Sequence, residues 1–180
     1  MSEPSLKGIS PSLLPPGAGA GLRIGVVHTQ WNEAVVGALV AGALRELEAR
    51  GVRREDVAVE SVPGAFELPL GARTLALACG GALDAVICVG CLIKGETMHF
   101  EYICEGVSQG VMRTGLDLGV PVIFGVLAVL NEAQARARAG LEPGSHNHGE
   151  EWAQSAIKMA RLRKRLAPGA HPFATAGASP

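Results

Sequence analysis

The sequence predicts an α/β fold, an open three-layer sandwich in which a mostly parallel, four-stranded sheet carries helices on both faces. Two observations lead there. Short Val/Ile-rich runs alternate along the chain with longer stretches of helical spacing. The runs are also nearly continuous in apolarity, as strands are when both faces of a sheet are buried. Residues 23–28 form the first strand. Asn32 offers an N-cap and Glu33 a first-turn carboxylate, so a helix is expected from there to about Arg50, stopped by Gly51. Residues 57–61 are the second strand, Val62-Pro63-Gly64-Ala65 a turn, and 66–79 a helix that ends at Gly80-Gly81. The third strand spans 85–89, with its helix from about 98 to 118. The fourth covers 121–130, followed by a short helix over 132–139 and a longer one over about 149–165. This is a flavodoxin-like arrangement without internal repeats. The expected organisation is a flexible tail over 1–22, one domain over 23–166, and a Pro/Gly/Ala-rich flexible tail over 167–180.

Composition narrows the function. A chain of 180 residues that is 48% hydrophobic can bury one good core. Its formal net charge of -1, with both signs intermixed, leaves no electrostatic footprint for nucleic acid or an anionic membrane. No apolar run reaches the roughly 18 residues that span a bilayer. The first residues also lack the layout of a signal peptide. A soluble, cytoplasmic protein is expected. Cys79, Cys88, Cys91 and Cys104 sit in apolar segments and suit reduced, buried thiols. The pair Cys88-Val89-Gly90-Cys91 has redox or metal spacing, but it ends a strand rather than opening a helix and has no second pair, so its expected role is structural. His146 and His148 fall among Pro, Gly, Ser and Asn, with no carboxylate or thiolate at ligand spacing, and metal binding is not expected of them.

Lys94-Gly95-Glu96-Thr97-Met98-His99 lies where the third strand gives way to a helix. Free amides and the positive end of the helix dipole gather at such a point, attract phosphate and disfavour a protonated imidazole. His99 is therefore expected to be neutral and able to accept a proton near pH 7. In open sheets ligands bind outside the carboxyl ends of the strands, and every unusual cluster of this chain follows a strand. Trp31-Asn32 follows the first, Val62 to Glu67 the second, Gly95 to His99 the third, and the segment 131–138 with Arg138 the fourth. Each has an ordinary reading taken alone: a loop aromatic, a first-turn carboxylate, a His capping a turn, a cation at a helix C-terminus. Their coincidence favours a site. A Trp beside an Asn can stack on a planar heterocycle and bind its edge, and a carboxylate can receive the hydroxyls of a polyol. No Gly-x-Gly-x-x-Gly, P-loop or Gly-x-Ser-x-Gly elbow is present, which argues against dinucleotide binding, NTP binding and serine hydrolysis.

Five ordered blocks resemble one known family. They are Val62-Pro63-Gly64-Ala65-Phe66-Glu67-Leu68-Pro69, the segment Lys94 to Tyr102, the segment Pro121 to Leu127, Gln134-Ala135-Arg136-Ala137-Arg138-Ala139-Gly140, and His146-Asn147-His148-Gly149. Together, over about 23–163, the chain is similar to 6,7-dimethyl-8-ribityllumazine synthases, most closely the fungal type. The resemblance implies condensation of 5-amino-6-ribitylaminouracil with 3,4-dihydroxy-2-butanone 4-phosphate through a Schiff base, phosphate loss, ring closure and dehydration. It implies no metal and no organic cofactor. By the same resemblance Trp31 stacks on the pyrimidine with Asn32 beside it; Ala65, Phe66 and Glu67 bind the ribityl chain; and Leu92 and Ile93 offer backbone to the uracil edge. Gly95, Glu96 and Thr97 cradle the phosphate, Arg138 is its cationic partner, and His99 is the proton-transfer base. Phe124 and His148 reach the site from a neighbouring subunit of a homopentamer. Glu96, Ala128 and His148 stand where a small residue, a Thr and a Lys are common in the family.

Some members pack pentamers into a hollow shell when the turn before the last helix is short. Here Leu141 to His146 makes that turn longer and Pro143 is expected to hold it extended, which predicts a free homopentamer with interfacial sites. A non-catalytic flavin- or lumazine-binding protein of the same fold is the alternative, although it would not need His99 and Arg138 together. An electron carrier of flavodoxin type would need more hydroxyls than His28-Thr29-Gln30-Trp31-Asn32 supplies.

Overall fold

The computed structural model describes residues 14–167. It contains four strands, Ile24–Thr29 (β1), Val57–Val62 (β2), Ala85–Ile93 (β3) and Val122–Val129 (β4). Five α-helices accompany them: Glu33–Ala49 (α1), Leu68–Ala78 (α2), His99–Leu118 (α3), Glu132–Arg138 (α4) and His148–Arg165 (α5). The sheet is parallel throughout in the order β2-β1-β3-β4, with Ile24 opposite both Val57 and Ala85. Strand order reverses between β1 and β3, which makes their carboxyl ends the natural binding crevice.

Alternation along the central strands builds the two outer layers. Ile24 and Val26 of β1 and Ala85, Ile87 and Val89 of β3 point to one face, where they meet Leu39 and Leu47 of α1 and Ile157 of α5. Val27, Val86 and Cys88 point to the other, against Leu68 and Leu75 of α2 and Val107 and Val111 of α3. Leu39, Leu47 and Ile157 are fully enclosed, and each such burial stabilises the fold by about 1.5–3 kcal/mol. None of the helices among the described residues is long and apolar enough to cross a membrane.

Four local expectations need correction. The segment 14–22, expected to be part of a loose tail, packs Leu14, Ala18 and Leu22 into the α1/α5 core. Arg50 and Arg161 donate hydrogen bonds to the carbonyls of Leu14 and Ala18, at 2.7 and 3.3 Å. The expectations for 1–13 and 168–180 concern residues outside those described. Secondly, β3 continues past Val89 to Ile93. Gly90 does not end it; a Cβ there would stand 3.2 Å from both Leu68 and Thr29, so glycine is what lets the strand pass beneath α2. Thirdly, β2 is a sheet edge with Val59, Glu60 and Ser61 exposed, not a strand covered on both faces. Finally, 142–145 is a tight turn and not an extended run: Ser145 N–H donates to the Glu142 carbonyl at 3.0 Å. Gly144 at φ 75 then occupies the third position that a type II turn reserves for glycine, with Pro143 before it.

Candidate active site

A cleft of about 620 Å³ opens at the carboxyl ends of β1 and β3, within the roughly 300–1,000 Å³ range of small-molecule sites. Its lining includes Trp31, Asn32, Ala65, Phe66, Glu67, Leu92, Ile93 and His99, eight of the residues singled out above.

Trp31 follows β1 and is 72% exposed, a large apolar surface left open to a ligand. Asn32 does not cap α1 by its side chain, as expected from sequence. It adopts a left-handed conformation, φ 57 and ψ 46, and its Nδ2 donates to the Cys91 carbonyl across the switch point at 2.9 Å. Asn is among the few residues that tolerate this conformation, and the cross-link ties the Trp31 loop to β3. The helix expected from 66 begins instead as a 3-10 turn, Ala65–Glu67, with the α-helix following at Leu68. Glu67 Oε2 accepts from Gly64 N–H at 3.0 Å, which fixes that turn. Phe66 is exposed, and its ring lies against Gly106 of α3, where an added Cβ would be 3.2 Å away.

Beyond β3 the chain turns through Gly95, Glu96 and Thr97, all exposed and none lining the cleft. Thr97 Oγ1 accepts from His99 N–H at 3.4 Å, and His99 opens α3. Lys94 reaches over the loop to Glu101 and donates to its carboxylate. That bond is the foremost cause holding the Glu101 carboxyl below its ordinary range. Burial pushes the thiols of Cys88 and Cys91 up to about 12 and about 11, so they lack the thiolate character of a redox pair.

Phe124, Arg138 and His148 do not line the cleft. Phe124 is exposed on β4, which pairs only with β3 and so forms a sheet edge. Arg138 ends α4, exposed, with Nη1 donating to the Gln134 carbonyl at 3.4 Å. His148 opens α5, half-buried, its Nδ1 3.3 Å from Glu151 Oε2. Burial, foremost, lowers its pKa; Glu151 opposes that, while His146 and Arg138 reinforce it. Thus Arg138 and His148 share one neighbourhood. His146 also approaches Glu150 and Glu151, at 3.9 and 3.5 Å, so carboxylates lie beside this His pair where the sequence leads one to expect none. Among the described residues, however, no group of three or more His, Cys, Asp or Glu side chains could hold a metal ion.

Pro63 and Gly64, within the Val62 to Glu67 cluster, also line the cleft, as do Thr29, Cys91 and Ile103, to which the sequence assigns no part in the site. Ile103 was within reach, since it lies one helical turn, i to i+4, after His99. Thr29 and Cys91 were not, because only the longer β3 and its pairing with β1 bring them to the crevice.

The family profile described as 6,7-dimethyl-8-ribityllumazine synthase matches residues 21–164. A protein of that name from Schizosaccharomyces pombe is 52% identical over 155 residues, covering 86% of this chain and 94% of the relative. Another of that name, from Pyricularia oryzae, is 44% identical over 185 aligned residues, covering 84% of this chain and 92% of the relative.

Proposed function

The chain belongs to the 6,7-dimethyl-8-ribityllumazine synthase family, and from that membership we propose that its cleft is one part of an active site completed by a neighbouring copy. The reaction is the condensation of 5-amino-6-(D-ribitylamino)uracil with 3,4-dihydroxy-2-butanone 4-phosphate, the penultimate step of riboflavin biosynthesis, and the protein is a transferase.

In the proposed site Trp31 stacks on the pyrimidine, Asn32 holds the loop that carries it, and the backbone of Leu92 and Ile93 meets the uracil edge. Ala65, Phe66 and Glu67 receive the ribityl chain, Glu67 accepting hydroxyl hydrogen bonds. The amides of Gly95, Glu96 and Thr97, in the loop just before α3, take the phosphate; Glu96 is exposed and does not line the cleft. Arg138 pairs with the same phosphate, which steadies it first as a handle and then as a leaving group. His99 moves protons between nitrogen, carbon and oxygen as the imine forms and rearranges. Holding both substrates together supplies much of the acceleration.

The observation that carries this reading is the meeting of an aromatic, a carboxylate and an imidazole at the β1/β3 switch point, with Arg138 and His148 grouped elsewhere. Arg138, His148 and Phe124 join the cleft when another subunit supplies them. The assembly we infer is a free homopentamer. Leu70, Tyr102, Met112 and Leu116, each at least 64% exposed on α2 and α3, support a subunit contact there. A cytoplasmic location accords with four free cysteines, two of them buried. Mixing the protein with both substrates should produce lumazine absorbance. Binding of lumazine without turnover would instead support a non-catalytic binding protein. Light scattering should return the mass of one pentamer; a monomer would defeat the shared site.

A further inference from the structure

Asn147 stands between Arg138 and His148 in a way that no surface loop residue would. It is 9% exposed, and its side-chain amide is paired on both ends. Nδ2 donates to the Ala139 carbonyl at 2.9 Å, directly after Arg138, and to the Ala38 carbonyl of α1 at 2.8 Å. Oδ1 accepts from Gly149 N–H at 2.9 Å, directly after His148. An isolated antiparallel bridge joins Ala139 to Asn147. One amide therefore fastens the backbone beside both residues to a single point on α1.

The surroundings admit this amide and little else. A Cβ on Gly42 of α1 would fall 2.4 to 2.7 Å from the Asn147 amide atoms. A Cβ on Gly149 would fall 2.0 Å from the Leu39 carbonyl, so α5 can begin this close to α1 only through glycine. Gly140, at φ 71, turns the chain back so that α4 and α5 meet at Asn147. Burying an amide costs free energy unless its donors and acceptor are satisfied, and here both Nδ2 protons and the oxygen are used. Such a group specifies a geometry that an apolar side chain would leave loose.

We propose that Asn147 is the positioning residue of the Arg138/His148 pair: it touches no substrate, and it sets the separation and aim of the two side chains that complete a neighbouring subunit's cleft. The proposal rests on the reading in which Arg138 holds the butanone phosphate. Losing the amide then lets Arg138 drift while the pyrimidine half of the site, on other elements, is untouched.

The test compares Michaelis constants in the assembled protein. Asn147→Ala should raise KM for the butanone phosphate by about tenfold and leave KM for the pyrimidine within about twofold, since misplacement of a positioning group weakens only the contacts it aims. In Asn147→Ala/Arg138→Lys the two effects should fail to add, because Asn147 acts through Arg138. A lowered kcat with both KM values unmoved would indicate a purely structural role and overturn the proposal. If Asn147→Ala does not fold, Gly42→Ala decides, since it displaces the same amide from α1; the same KM split is expected, and either unmoved KM values or loss of folding there overturns the proposal. Should Arg138→Lys alone leave KM for the phosphate substrate unchanged, the underlying site reading fails instead, and the two failures are told apart.

Discussion

At the scale of single residues, side chains with ordinary readings in isolation acquire chemistry from their placement. Trp31 is exposed because none of the described residues covers it, which suits the proposed stacking on a planar ring. Its fluorescence should be quenched when lumazine binds, and Trp31→Ala should weaken that binding by about 1 kcal/mol or more. Trp152, packed against the core beside Gly125, should not respond; affinity unchanged in Trp31→Ala would refute the stack. His99→Ala should lower turnover while a ribityl-bearing analogue binds almost as before, because the role proposed for the imidazole is proton transfer and the proposed ribityl contacts lie on the 65–67 turn. Wild-type turnover would remove His99 from the chemistry. The cysteines make a negative prediction. With the Cys88 and Cys91 thiols raised to about 12 and about 11 by burial, thiolate is scarce at pH 8, and alkylation of both should wait on unfolding. Rapid labelling of either in folded protein, read by peptide mass spectrometry, would contradict their burial.

At the scale of elements, periodicity in the sequence marked every strand and α-helix, and the differences cluster where a tertiary contact overrides a local signal. Gly90 stands just past the expected end of the third strand at Val89. In the fold it is a strand residue made small by Leu68 and Thr29. Gly90→Ala should cost about 1–3 kcal/mol in urea unfolding, since a neighbour must shift to admit the methyl. Unchanged stability would mean the space is not needed. Asn32 reads as a cap, yet its partner, the Cys91 carbonyl, is visible only once β3 lies beside β1. Glu142-Pro143-Gly144-Ser145 carries a turn signal in its Pro-Gly pair, which outweighs the stiffening expected from Pro143 by itself. The Lys94 to Glu101 pair is a fourth case: the two residues are separated by the loop they close, so no helical spacing relates them.

At the scale of the whole molecule, the sequence pattern made the three-layer sandwich and its crevice legible because both follow from alternation of elements, whereas how far the core extends did not follow. Leu14, Ala18 and Leu22 join it from a Gly/Pro-rich stretch whose composition argues for a tail. The proposed division of the site draws on family resemblance for Phe124 and His148 and on the placement of Arg138 beside His148, outside the cleft, since nothing local in the sequence says that any of them faces another copy. Co-expression of two impaired variants tests that division most directly. His99→Ala spoils the cleft, and Arg138→Ala spoils the surface that completes a neighbour's cleft. In mixed assemblies some sites then pair an intact cleft with an intact Arg138. Specific activity above that of either parent assembly is expected, and activity equal to the weighted mean of the two parents would contradict a site shared between subunits.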